Sequence, residues 1–135
     1  MSKRRLIDTN LILRHLVADH ESHTKAAMKL FQASDRGEMK LVILPTVLAE
    51  CVFVLASFYK YPRSQIVNAM VGLITSPGIE VEQMALHIDA LERYRTSKVH
   101  FVDCLLAAHA VASDLAIATF DADFKRFADI TVAID

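Results

Sequence analysis

Leu41-Val42-Ile43-Leu44-Pro45-Thr46-Val47-Leu48-Ala49-Glu50-Cys51-Val52-Phe53-Val54-Leu55-Ala56 is the stretch whose reading decides the fold. Continued to Tyr59, it has almost the length of a membrane span. Pro45 divides it, because the ring removes an amide donor and clashes with the preceding turn. Glu50, near its centre, would cost roughly 2.5–3.5 kcal/mol on insertion. The stretch therefore reads as a strand over 41–44 and a buried helix from 45 to about 58. No membrane span is expected. The start, Met1-Ser2-Lys3-Arg4-Arg5, leads into a strand-length apolar run, not a signal-peptide core, so a cytoplasmic location is expected.

Outward from this segment, strands and helices alternate. A strand over 4–8 precedes a helix over 11–17, which Thr9 or Asn10 can cap. A second helix covers 21–33, with Ala26, Ala27, Leu30 and Phe31 as its apolar stripe. The break at Tyr61-Pro62-Arg63-Ser64 starts a helix with Ile66, Met70, Leu73 and Ile74 on one face. A short strand over 79–81 follows, then helices over 84–94 and 100–112, a strand over 115–119, a short helix over 124–127 and a last strand over 130–134. Such interleaving predicts an α/β domain with a mostly parallel sheet. At 135 residues the chain fits one domain, residues 1–135, able to bury a real core. Its hydrophobic fraction of 53% suggests strands covered on both faces. Cys51 and Cys104 read as buried free thiols.

Several functions are excluded or disfavoured. Gly occurs only at 37, 72 and 78, which leaves no P-loop or dinucleotide fingerprint. There is no G-x-S-x-G elbow. His20 and His23 lack partner ligands nearby in sequence and read as solvated helix-start residues, while His87, His100 and His109 read as surface or satisfied core groups. The net charge of −1 gives no global attraction to nucleic acid, so a polyanion would have to meet local Lys and Arg.

Four acids stand in apolar sequence. Asp8 ends the first strand, and Glu50 is the only charged residue between Lys40 and Lys60. Asp103 is the only Asp, Glu, Lys or Arg between Lys98 and Asp114, and Asp121 follows a late strand. A lone carboxylate in apolar surroundings is costly, so four suggest a shared cation. In parallel sheets ligands gather beyond the carboxyl ends of the strands, where Asp8 and Asp121 lie and where Glu50 and Asp103 can join them. Each acid also has a plainer reading. Asp8 can cap the first helix, Glu50 can face solvent, Asp103 can favour a helix start, and Asp121 or Asp123 can form a turn. Oxygen donors without Cys or His suit Mg²⁺ or Mn²⁺, and ions so held promote phosphodiester hydrolysis.

These residues resemble the PIN-domain ribonucleases, in particular the VapC toxins of bacterial type II toxin–antitoxin systems. Leu6-Ile7-Asp8-Thr9-Asn10 is similar to the family's strand with D-T-N. Pro45-Thr46-Val47-Leu48-Ala49-Glu50 is similar to its glutamate-bearing helix, and Phe101-Val102-Asp103-Cys104-Leu105-Leu106-Ala107-Ala108 to its third acidic motif. Ala118-Thr119-Phe120-Asp121-Ala122-Asp123-Phe124 is similar to its T-F-D-x-D-F motif. The resemblance spans the chain in order. It implies a three-layer α/β/α domain with a five-stranded parallel sheet and a Mg²⁺- or Mn²⁺-dependent endoribonuclease. Asp8, Glu50, Asp103 and Asp121 would ligate metal or activate water, with Asp123 as a possible fifth acid and Asn10 and Thr119 in support. It further implies an RNA substrate, a homodimer and a cognate VapB-like antitoxin. The alternatives are an RNA-processing PIN nuclease without a toxin role, a catalytically inactive PIN module that binds a basic partner tail, and a phosphotransfer receiver domain. The last would want a Lys after a late strand, whereas Lys125 sits in a helix-like segment.

Overall fold

Strand pairing starts from the deciding stretch. In the structure, a computed structural model describing residues 3–19 and 21–134, β2 (Met39–Ile43) lies between β1 (Lys3–Leu6) and β3 (Ile79–Val81). The expected chain start and the His20 half of the histidine pair fall outside the described residues. Both pairings are parallel, with Leu6 beside Val42 and Ile43 beside Val81. Pro45 is the first residue of α3 (Pro45–Ser57), where its missing N–H leaves no bond unmade, and Leu44 before it is extended as a pre-proline residue should be. Among the described residues no helix is long and apolar enough to cross a membrane.

The chain divides into two compact units, Met1–Glu82 and Gln83–Asp135. In the first, α1 (Thr9–Val17) packs on α2 (Glu21–Asp35) and on α3, while α4 (Arg63–Ile74) packs on α3 and β3. Leu41, Ile43, Leu48, Leu55, Ile66, Met70 and Ile74 are buried in its core. His15 of α1 stacks on Phe31 of α2, ring centroids 3.8 Å apart. Tyr59 donates from its hydroxyl to Asp19 at 2.8 Å, and Asp19 also pairs with Arg14, so the turn after α1 is tied to the turn after α3.

In the second unit α5 (Met84–Arg95) packs along α6 (Phe101–Ser113), with Leu91, Tyr94, Phe101, Cys104 and Ala107 buried. Arg93 binds Asp89 and Asp129 and lies over the Phe127 ring, which fastens the C-terminal segment to α5. Ala110, Ile117 and Phe124 form a smaller core with Ile130 and Val132.

The α/β class with a parallel sheet is as expected. The strand count is not: among the described residues the sheet has three strands, not five. Segments 115–119 and 130–134 meet only at an isolated parallel bridge between Ile117 and Val132. Of 115–119 only Ile117 is buried, so packing fixes one point of contact and nothing extends the ladder. Nor is β1 covered on both faces, since all four of its residues are exposed at the margin of the sheet. The short helix expected over 124–127 is a 3₁₀ turn, Ala122–Arg126. Both cysteines are buried free thiols.

Gly78 has φ +77°, and a Cβ there would lie 2.2 Å from Ser34 Oγ and 2.5 Å from Ser34 O. Ser34 is buried and cannot retreat, because its hydroxyl donates to Pro77 O at 3.0 Å. Gly78→Ala should therefore destabilise by about 2 kcal/mol or more in urea unfolding. Gly37→Ala, with φ +78° and nothing within 4 Å, should cost only about 1 kcal/mol of left-handed strain. Equal losses would mean that close packing is not what requires glycine at 78.

Candidate metal-binding acidic site

Asp8 stands where β1 gives way to α1. The Ile7 amide still donates to Val42 O at 3.1 Å, and the next residue leaves the sheet. Asp8, not Thr9 or Asn10, is the cap: its extended backbone lets Oδ1 accept from Leu11 N at 2.9 Å. The cap uses one carboxylate oxygen, and Oδ2 is left over. Thr9 is buried and hydrogen-bonds the Cys51 thiol. Asn10 is exposed, and among the described residues no hydrogen bond joins it to an acid.

Glu50 owes its position to helix periodicity. Thr46, Glu50, Phe53 and Ser57 are exposed, while Leu48, Cys51, Val52 and Leu55 are buried, so the glutamate lies on the open face of α3. The charges of Asp8 and Glu50 both reach the Cys51 thiol. Burial pushes the Cys51 thiol up to about 12, with the Glu50 and Asp8 charges adding to the effect and the Thr9 hydrogen bond opposing it.

In the second unit Asp103 is half-buried in the first turn of α6. Burial raises its carboxyl above the ordinary value, the Asp121 charge raises it further, His100 opposes, and Asp123 adds a smaller push. Thr119 Oγ1 accepts from Asp121 N at 2.9 Å, and Asp121 Oδ1 accepts from Asp123 N at 2.9 Å. Asp121 is therefore the turn-former of the pair, and Asp123 leans to Arg126 at 3.4 Å. His100, set aside in the sequence, faces this group; its place immediately before a helix that carries an acid in its first turn was the available signal.

The sequence placed all four acids in apolar surroundings. In the structure Asp8, Glu50 and Asp121 are exposed, and Asp103 is half-buried. Among the described residues no three His, Cys, Asp or Glu side chains stand close enough to hold an ion. What the structure shows is that the Asp8 and Glu50 charges act on Cys51, that the Asp121 and Asp123 charges act on Asp103, and that Asp121 and Asp123 are hydrogen-bonded neighbours. In kind these donors fit a hard divalent cation: all are oxygen, all are anionic, and those around Asp103 repel one another.

The chain matches the PIN domain family over residues 5–130, and it belongs to that family. It is similar to a VapC ribonuclease of Aquifex aeolicus (strain VF5), 26% identical over 129 residues, which covers 95% of each chain. Among solved structures it is similar to one described as VapBC2 from Rickettsia felis bound to a DNA fragment from their promoter. There the identity is 18% and the TM-score 0.41, with 96% of this chain and 97% of that one covered.

Because the folded chain holds the Asp103 proton more tightly than the unfolded chain does, this group stabilises the fold below its ordinary value of 3.8. That contribution is lost as pH rises through the raised value of the folded state. In EDTA, Asp103→Asn should therefore melt higher than wild type at neutral pH, and the difference should vanish at low pH. A variant that melts markedly lower at neutral pH would make Asp103 a structural group.

Proposed function

We propose that this chain is a VapC-type endoribonuclease, dependent on Mg²⁺ or Mn²⁺, that serves as the toxin of a toxin–antitoxin pair. Residues 1–135 would act as one nuclease domain, with Asp8, Glu50, Asp103 and Asp121 holding the ion and its water. One observation carries this reading: Asp103, in a chain of the PIN family, has its carboxyl raised first by burial and then by the charges of Asp121 and Asp123. Burial and like charge are arranged there against folding, as they are at sites built for a cation. The named relative supports the choice of ribonuclease, since its 26% identity runs over 95% of both chains.

A bound ion supplies the positive charge that acidifies water and offsets charge on the phosphate. The protein supplies position. Asp8 uses Oδ1 to cap α1 and offers Oδ2, and Glu50 offers its carboxylate from the open face of α3. Asp103 would offer its carboxylate from the first turn of α6, beside the charges of Asp121 and Asp123. Thr119 and the Asp123 amide fix Asp121, Arg126 restrains Asp123, and Asn10 completes the supporting set. The substrate would be RNA in the cytoplasm. A homodimer and a VapB-like antitoxin whose tail places a basic side chain among the carboxylates complete the reading.

Purified protein with Mg²⁺ or Mn²⁺ should cleave structured RNA, and EDTA should stop it. Asp8→Asn should reduce cleavage to background while leaving melting nearly unchanged, because asparagine keeps the oxygen that caps α1. Undiminished cleavage by that variant would discard the assignment. A wild-type protein that binds a basic partner tail yet cleaves nothing would be an inactive PIN module instead.

A further inference from the structure

The acidic turn of the second unit is held at its far end by an arginine. Asp121 and Asp123 open the 3₁₀ turn Ala122–Arg126, and Phe127 closes it, its amide donating to Phe124 O at 3.3 Å. Arg93 of α5 lies over the Phe127 ring, 5.1 Å from its centroid. It also donates to both oxygens of Asp129, from Nη1 to Oδ1 at 2.8 Å and from Nη2 to Oδ2 at 2.5 Å. The Arg93 side chain is 11% exposed, so this fork is shielded from the water that makes surface ion pairs weak. The next residue, Tyr94, meets Phe101 edge-on, ring centroids 5.8 Å apart, at the start of the helix that carries Asp103. Two neighbours on α5 therefore hold both carriers of the acidic group: one the start of α6, the other the end of the turn.

That restraint has work to do. The Asp121 and Asp123 charges act on Asp103 as like charges and favour a wider separation. Among the described residues, the segment that carries Asp121 and Asp123 has only the bridge of Ile117 with Val132 in place of a ladder. We propose that Arg93 is a positioning residue of the metal site: its fork to Asp129 and its place on Phe127 fix the Asp121–Asp123 turn relative to Asp103, and so set the affinity of these carboxylates for a divalent cation. The inference takes from the nuclease reading only the presence of an ion at these acids. A guanidinium is required, because a flat fork can hold two carboxylate oxygens while lying on a ring, and an ammonium cannot. The pair of Arg93 with Asp89, at 3.0 Å, lies within α5 and ties it to no other segment. Asp89 is therefore the control.

Two measurements read the site without catalysis: broadening of the Asp103, Asp121 and Asp123 amide signals as Mn²⁺ is added, and amide exchange in EDTA. Arg93→Lys and Asp129→Ala should each weaken Mn²⁺ binding by about tenfold, as loss of a group that orients metal ligands does. Exchange of the Asp121 and Asp123 amides should quicken by a similar factor, on the order of tenfold. Asp129→Asn, which keeps one acceptor, should fall between wild type and Asp129→Ala. The double variant should lose no more than either single one, since all three break one link. Asp89→Ala should bind Mn²⁺ as wild type does. In cleavage, Arg93→Lys and Asp129→Ala should need about tenfold more Mg²⁺ yet regain the wild-type kcat at saturation, which a general loss of structure would not allow. Wild-type Mn²⁺ affinity in both Arg93→Lys and Asp129→Ala, or an equal loss in Asp89→Ala, would overturn the inference. Wild type that takes up Mn²⁺ but cleaves no RNA would fail the nuclease reading alone, and wild type that takes up none would fail both.

Discussion

Strand β2 is what the first unit depends on. It bonds to neighbours on both sides, its Leu41 and Ile43 are buried, and its end runs into Pro45. Because β1 and β2 are parallel and in register, both release their chains at the same margin of the sheet. Asp8 leaves β1 there, and the helix bearing Glu50 leaves β2 there. Their common effect on Cys51 follows from strand direction, with no ion needed to draw them together.

The second unit reaches a similar end by another route. Asp103 depends on a helix start and Asp121 on a turn fixed by Thr119, and their proximity sets like charges against each other. Arg93 ties down a C-terminal segment that has almost no sheet among the described residues. In this unit a half-buried arginine paired with Asp89 and Asp129 and a small apolar cluster stand in for strand ladders.

Where a residue type forces one geometry, the sequence was readable. Pro45 separated strand from helix, and the four acidic motifs, in order, led to the family. Environment was harder to read. Glu50 lies between Ala49 and Cys51, yet a helix turns each neighbour to a different side, so apolar sequence neighbours did not bury it. Asp103 differs because it falls between exposed Val102 and buried Cys104, at the boundary of the open face of α6. The two late strands misled because Val and Ile raise strand propensity locally, while a ladder needs a partner that packing holds along its length. Asp8 served as the cap, a role that takes one oxygen and so does not decide its chemistry.

Among the described residues the margin at β1 is uncovered, and this bears on how the protein behaves when crowded. An open strand edge can template the addition of another chain, and the usual defence is to place charge along it. Lys3, Arg4 and Arg5 do this here, with Arg4 and Lys40 both drawn to Glu80 across the sheet. Successive copies meeting edge to edge would bring like charges into line, which opposes fibre growth in a chain whose composition is more than half apolar.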